Sequence, residues 1–140
     1  MRAADPLDTR DRANLSERDV AERFIEVFYH QNRLVEAFRA WVHPDYIQHD
    51  PNSATGRDGT IEALAAHMKR SPAMSHDVKR IIHGNDGTVA VHYHFRHAPD
   101  QRGLAVVDIF RIENGYLVEH WDIIQPVPDP AETKNSNGMF

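Results

Sequence analysis

The sequence predicts an α+β fold: three helices come first, a curved antiparallel sheet of at least four strands follows, and the helices lie on one face of that sheet. Three observations carry this. Apolar residues recur at helical spacing in the first half of the chain. They switch to strand alternation after residue 75, and the pair Asn114 and Gly115 marks a tight hairpin between two of those strands.

Residues 1–15 are polar and charged, with Pro6 early, and are expected to form a flexible tail ahead of a single domain spanning 16–140. Ser16 is a good N-cap, and Asp19 three residues on resembles a capping box. Val20, Phe24, Val27, Phe28 and Gln31 fall on one stripe, widened by Ile25, so the first helix is expected over 17–30. Phe24 and Phe28 are core lining and, in a fold with a pocket, pocket wall. A second helix over 33–42 carries Leu34, Phe38 and Trp41 and ends at His43, whose successor Pro44 pushes it out of the α region. Residues 45–51 form a short extended piece that could deliver His49 to a pocket mouth, and a loop rich in turn formers follows. A third helix over 60–70 places Ile61, Leu64, Ala65 and Met68 on one face and stops at Ser71 and Pro72.

Strands are expected over 76–83, 88–97, 104–112 and 116–125, joined by glycine-containing turns. Pro126, Pro128 and Pro130 prevent further interior pairing. Met139 and Phe140 close a polar stretch with two large apolar side chains, so the end of the chain is expected to dock back onto the body or onto a partner.

The last three strands carry the chemistry. On the first of them His92, His94 and Arg96 share a face, and Val91, Tyr93 and Phe95 share the other. On the second, Asp108 stands among Ala105, Val106, Val107 and Ile109, and a carboxylate buried in such a run needs partners. A two-residue turn at Asn114 and Gly115 sets Asp108 opposite Trp121, with Glu119 inside and His120 and Asp122 outside. A one-residue bulge would instead set His120 beside Asp108. The expectation is that Asp108, His94 and His92 form the polar floor of an apolar pocket.

Composition bounds the rest. One domain of 140 residues, 41% hydrophobic and 26% charged, can bury a core. A net charge of −5 argues against a general nucleic-acid-binding surface. No apolar run is long enough to span a membrane, and the charged N-terminus lacks the apolar core of a signal peptide. The absence of cysteine excludes disulfides and thiolate chemistry and is compatible with a cytoplasmic protein. Of the ten histidines, half or more are expected to be ordinary surface or core residues.

Four stretches resemble the SnoaL-like family of the nuclear transport factor 2-like superfamily: Tyr46 to Pro51, Asp108 to Gly115, Glu119 to Asp122, and Asn137 to Phe140. The resemblance implies a cone-shaped α+β barrel with a deep pocket, dimerisation through the outer face of the sheet, and no metal and no organic cofactor. It implies a small hydrophobic or aromatic carbonyl ligand and ring closure by intramolecular aldol condensation. It assigns acid/base work to Asp108 and His94, with His92 beside them, and pocket contacts to His49 and Trp121; with Trp121, Phe24 and Phe28 are expected to supply flat apolar walls for a ring-shaped ligand, and Tyr46 a further contact to it.

Other readings stay open on the residues. The pocket could bind a ligand without turning it over. His49, His92, His94 and Asp108 could hold a divalent metal. Carboxylates with Arg96 could activate water on an epoxide, or the chain could act as an assembly domain through its outer sheet face.

Overall fold

In the computed structural model, which describes residues 4–140, three α-helices pack against one five-stranded mixed sheet. Helix α1 (Glu17–Ile25) starts on a reciprocal cap. The Ser16 hydroxyl accepts from the Asp19 amide at 3.1 Å, and the Asp19 carboxylate accepts from the Ser16 amide. The helix does not run on regularly to residue 30. It widens into a π-helical turn (Glu26–His30) in which the Gln31 amide reaches the Glu26 carbonyl, and Val27, Phe28 and Tyr29 are all buried. Asn32, in the left-handed region at φ 55°, ends this segment. Helix α2 (Leu34–Trp41) follows, and helix α3 (Arg57–Arg70) begins three residues earlier than its apolar periodicity indicates.

The sheet has the order β1-β5-β4-β3-β2. Strands β2 (Ser75–His83), β3 (Thr88–Arg96), β4 (Leu104–Glu113) and β5 (Tyr116–Pro126) form the expected antiparallel meander. The extended piece after α2 is a fifth strand, β1 (Val42–Gln48). It pairs parallel with β5, setting Ile47 by Glu119 and Gln48 by His120. Its proline sits on an edge strand, where a missing donor costs no ladder bond.

Register is the main correction. Glu113 faces Tyr116 and Ile112 faces Leu117 as a two-residue turn requires, but Arg111 then faces Glu119, leaving Val118 as a one-residue bulge. Beyond the bulge every side chain of β5 is on the face opposite to the one the regular ladder gives. His120 and Asp122 point inward, and Trp121 and Ile123 point outward, with Ile123 66% exposed. An unbroken ladder counted back from the two-residue turn predicts the opposite faces, and the bulged alternative is the one the structure adopts. The observed register instead pairs two charged groups: Arg111 Nε donates to Glu119 Oε1 at 2.9 Å, and the buried Asp108 gains His120.

The helices fill the inner face with a dry aromatic layer. Phe24 stacks on Phe28 at 5.2 Å and meets Phe110 at 5.2 Å, and Trp41, Leu34 and Leu117 are essentially without solvent contact. Each such side chain contributes roughly 1.5–3 kcal/mol by leaving water. Both terminal stretches of the described residues dock. Of the segment 1–15 expected as a flexible tail, residues 1–3 lie outside the described residues; in the remainder Leu7 and Leu15 pack against the core, and the Pro6 carbonyl accepts from Trp41 Nε1 at 2.9 Å. At the other end Phe140 stacks on His94 at 4.5 Å, on the outer face of β3. Among the described residues, no helix is long and apolar enough to cross a membrane.

Candidate active site

Between the helices and the inner sheet face lies a cavity of about 540 Å³. Phe28, Phe38, Tyr46, Tyr93, Val106 and Phe110 supply its apolar wall, and Asp108, His120, Asp122, His76, Gln48 and Asp50 bring polar atoms to it. That mixture is the usual make-up of a small-molecule site.

The floor is a hydrogen-bonded chain centred on Asp108, which is 6% exposed. Its Oδ2 accepts from the Tyr29 hydroxyl at 2.5 Å, and its Oδ1 lies 2.9 Å from His120 Nε2. His120 Nδ1 lies 2.6 Å from Gln48 Oε1. Both carboxylate oxygens of Asp108 are therefore engaged, and no buried side-chain polar atom among the described residues lacks a partner. The π-helical turn brings Tyr29 here, the Val118 bulge brings His120, and the β1–β5 pairing brings Gln48.

The electrostatics follow from burial. The Tyr29 and Tyr93 hydroxyls are pushed well up, first by loss of water and then by the charge of Asp108, so both are neutral donors. Burial likewise raises Tyr46. His76, whose Nδ1 lies 3.1 Å from Asn32 Oδ1, is held down to about 4 by burial. Asp122 is different, because its carboxylate meets both cavity and solvent. Burial first, and the Asp50 carboxylate second, raise it to about 6.

These positions divide the expected site. Asp108, Phe28 and Tyr46 line the cavity, and Phe24 packs behind it in the core. His92 and His94 do not face Asp108. Its partner across the ladder is Val91, so both imidazoles lie on the outer face. There His92 Nδ1 accepts from Arg80, and His94 Nε2 donates to the Arg102 carbonyl at 2.6 Å beneath Phe140. His49 and Trp121 are outside too, stacked on each other at 5.1 Å, with His49 Nε2 2.7 Å from Glu119. The bulge accounts for Trp121, because side chains alternate with a period of two and one extra residue inverts them, whereas His92 and His94 face outward because the regular β3–β4 ladder sets Val91 opposite Asp108. Tyr29, Gln48, His76, Tyr93, His120 and Asp122 were missed. The signals available for them were the Val91, Tyr93 and Phe95 face of β3 and the bulged alternative for His120.

The metal set His49, His92, His94 and Asp108 is split between the two faces of the sheet. A different group, Asp108, His120 and Asp122, brings donor atoms within 4.8 Å of one another.

The fold is shared with solved structures of low identity. IdmH from Streptomyces antibioticus, a candidate polyketide cyclase, superposes with a TM-score of 0.59 at 21% identity over 79% of this chain and 92% of its own. An uncharacterised cystatin-fold protein from Novosphingobium aromaticivorans gives 0.63 at 19% identity, over 78% and 98%. A candidate isomerase of the SnoaL-like family from Agrobacterium tumefaciens gives 0.60 at 10% identity, over 78% and 97%. No curated protein matches the chain by sequence. The sequence model of the SnoaL-like domain matches residues 21–120, the span from α1 to the site histidine of β5, and on that match the chain belongs to the SnoaL-like domain family.

Proposed function

We propose that this protein is a cofactor-independent acid/base enzyme that closes a ring in a small, hydrophobic, polyketide-like carbonyl compound by intramolecular aldol addition. One observation carries the reading: an open carboxylate, Asp122, stands beside a hydrogen-bonded carboxyl–imidazole pair, Asp108 and His120, at the floor of an aromatic cavity.

A carbon between two carbonyl groups is already acidic, so a modest base suffices. Asp122, raised to about 6, is ionised near neutral pH and basic enough to take that proton. The resulting enolate carbon attacks the second carbonyl carbon. The new carbon–carbon bond forms as the carbonyl π pair moves to oxygen, and that alkoxide takes a proton from the Asp108–His120 pair. The proton on Asp122 then returns to the pair, which lies within 4.8 Å, and atoms and charge balance without an external reagent. Tyr29 holds Asp108 in place, and the phenyl and phenol rings hold a flat ligand by burial. In this assignment Asp108 keeps the acid/base role the sequence suggested, His120 replaces His94, and Asp122 is added as base. We extend the proposal to assembly: Ile82, 60% exposed, and Ile123 stand on the outer sheet face expected to pair two copies.

The test is deuterium exchange into the central carbon of an aromatic 1,3-diketone, followed by mass spectrometry. The wild-type chain is expected to accelerate exchange, and Asp122→Asn to lose about 100-fold or more of that acceleration. A diketone that binds and does not exchange would establish a binding module instead. A second reading, a divalent cation on Asp108, His120 and Asp122, rests on their clustered donor atoms. Exchange that survives a chelator supports the cofactor-free reaction; exchange lost to the chelator and restored by a divalent cation replaces it with a metal-assisted one.

A further inference from the structure

We infer that Gln48 is a positioning residue that fixes the tautomer of His120 and so loads the Asp108–His120 pair with a shared proton. The catalytic meaning of this inference rests on the acid/base reading above; the tautomer itself does not.

The two ends of the Gln48 side-chain amide are distinguished by what they meet. Oε1 lies 3.0 Å from the backbone N–H of Asp50, which can only donate. That end of the amide is therefore the carbonyl oxygen. Nε2 points to the Tyr46 hydroxyl, 3.5 Å away. The same Oε1 lies 2.6 Å from His120 Nδ1, and an oxygen with no hydrogen requires Nδ1 to carry one. Gln48 cannot swing away easily. It is the cross-strand partner of His120 in the parallel β1–β5 pair, and the adjacent His49 amide donates to the His120 carbonyl at 3.0 Å.

With Nδ1 protonated, a neutral His120 has a bare lone pair at Nε2. Asp108 Oδ1 faces it at 2.9 Å. Two atoms without hydrogen would repel at that separation, so a proton lies between them. Either Asp108 is the carboxylic acid and donates to Nε2, or His120 is the imidazolium and donates to Oδ1. Both forms hold the same proton, and both leave the pair with zero net charge. Without Gln48, His120 can take the other tautomer, Nε2–H, and donate to an ionised Asp108. That arrangement has one proton fewer and one negative charge more, facing Asp122 and Asp50. Gln48 thus does two things at a distance from the reacting atoms. It keeps an acid proton in the pair, and it removes a like charge from beside Asp122, the carboxylate assigned as base.

The test is nitrogen-15 NMR of the histidine rings in the full chain at pH 7, with the His120 signals assigned through His120→Gln. In the wild type, Nδ1 is expected to show the shift of a protonated ring nitrogen. Gln48→Met keeps the side-chain length and removes the acceptor, and Nδ1 is expected to move to the unprotonated shift. Gln48→Glu restores an acceptor oxygen and is expected to restore the protonated Nδ1 signal. An unprotonated Nδ1 in the wild type overturns the inference whatever the variants do, as does a protonated Nδ1 that Gln48→Met leaves unmoved. None of these readings needs a substrate. A wild-type tautomer as expected, combined with no diketone exchange, would refute the enzyme reading alone, and exchange with the wrong tautomer would refute this one alone.

Discussion

His76 lies in the cavity wall with one ring nitrogen toward Asn32 and no carboxylate bonded to it, so the charge of Asp108 offsets only part of the water that protonation would lose. Its folded value of about 4 is below the ordinary 6.5. Between those values the unfolded chain binds the proton and the folded chain does not, so stability is lost as pH falls from 6.5 toward 4. From pH 7.5 to pH 5.0 this one group should remove about 2 kcal/mol. Urea denaturation at both pH values checks it, and His76→Gln is expected to lose about that much less than the wild type on acidification. Asp122 works with the opposite sign. Its folded value of about 6 lies above the ordinary 3.8, so the folded chain binds more protons in that window, and Asp122 opposes folding as pH rises through it. A group that destabilises the fold near neutral pH thus stands at the cavity floor beside Asp108 and His120, which is the pattern expected of a residue that serves chemistry.

At the scale of elements, two irregularities build the site, and they explain what could be read from sequence. The capping box at Ser16, the helix stop before Pro44, the Asn114 and Gly115 hairpin and the buried Asp108 follow from local rules, and each stands where those rules put it. The π-helical turn and the Val118 bulge follow no local rule, since each adds one residue for the sake of a contact made across the molecule. Reading β5 as a regular ladder turned Trp121 inward and His120 outward, and the same missing residue concealed Asp122. Face assignments on β3 needed the tertiary structure as well, because Tyr93 and His94 are both largely buried, one under the helices and the other under Phe140. The π-helical turn makes its own prediction. Tyr29→Phe keeps the ring packed against Tyr93 at 5.1 Å and leaves Asp108 Oδ2 buried without its donor. The expected cost is about 1–3 kcal/mol in urea denaturation at pH 7. A Tyr29→Phe chain as stable as the wild type would mean that another group, such as the neighbouring Tyr93 hydroxyl, takes over the bond.

At the scale of the whole molecule, the N-terminal segment is what closes the helical layer over the sheet. Arg12 is the centre of that closure. Its guanidinium lies 3.8 Å over the Tyr116 ring and 4.9 Å from the Trp41 ring, Nη1 donates to the Gly115 carbonyl at 2.6 Å, and Nη2 donates to the Ala40 carbonyl. One side chain therefore ties the β4–β5 hairpin to the end of α2. Around it, Arg23 donates to the Asp8 carbonyl at 2.8 Å, and Pro6 receives Trp41. The hairpin carries Asp108 on one arm and His120 and Asp122 on the other, while α2 leads directly into β1 and Gln48. Loosening Arg12 should thus be felt at the floor of the cavity, far along the chain from residue 12. Arg12→Ala removes two hydrogen bonds to carbonyls by a charged donor, together with both ring contacts, and is expected to destabilise the fold by about 2–4 kcal/mol. Trp41 would then meet water, so its fluorescence should shift to longer wavelength below the unfolding transition. Arg12→Lys retains the charge and loses the planar fork that bridges two carbonyls and lies flat on the rings, so it should recover less than half of the loss. If the Lys variant recovers all of it, charge alone holds the segment down, and the bridging geometry contributes nothing.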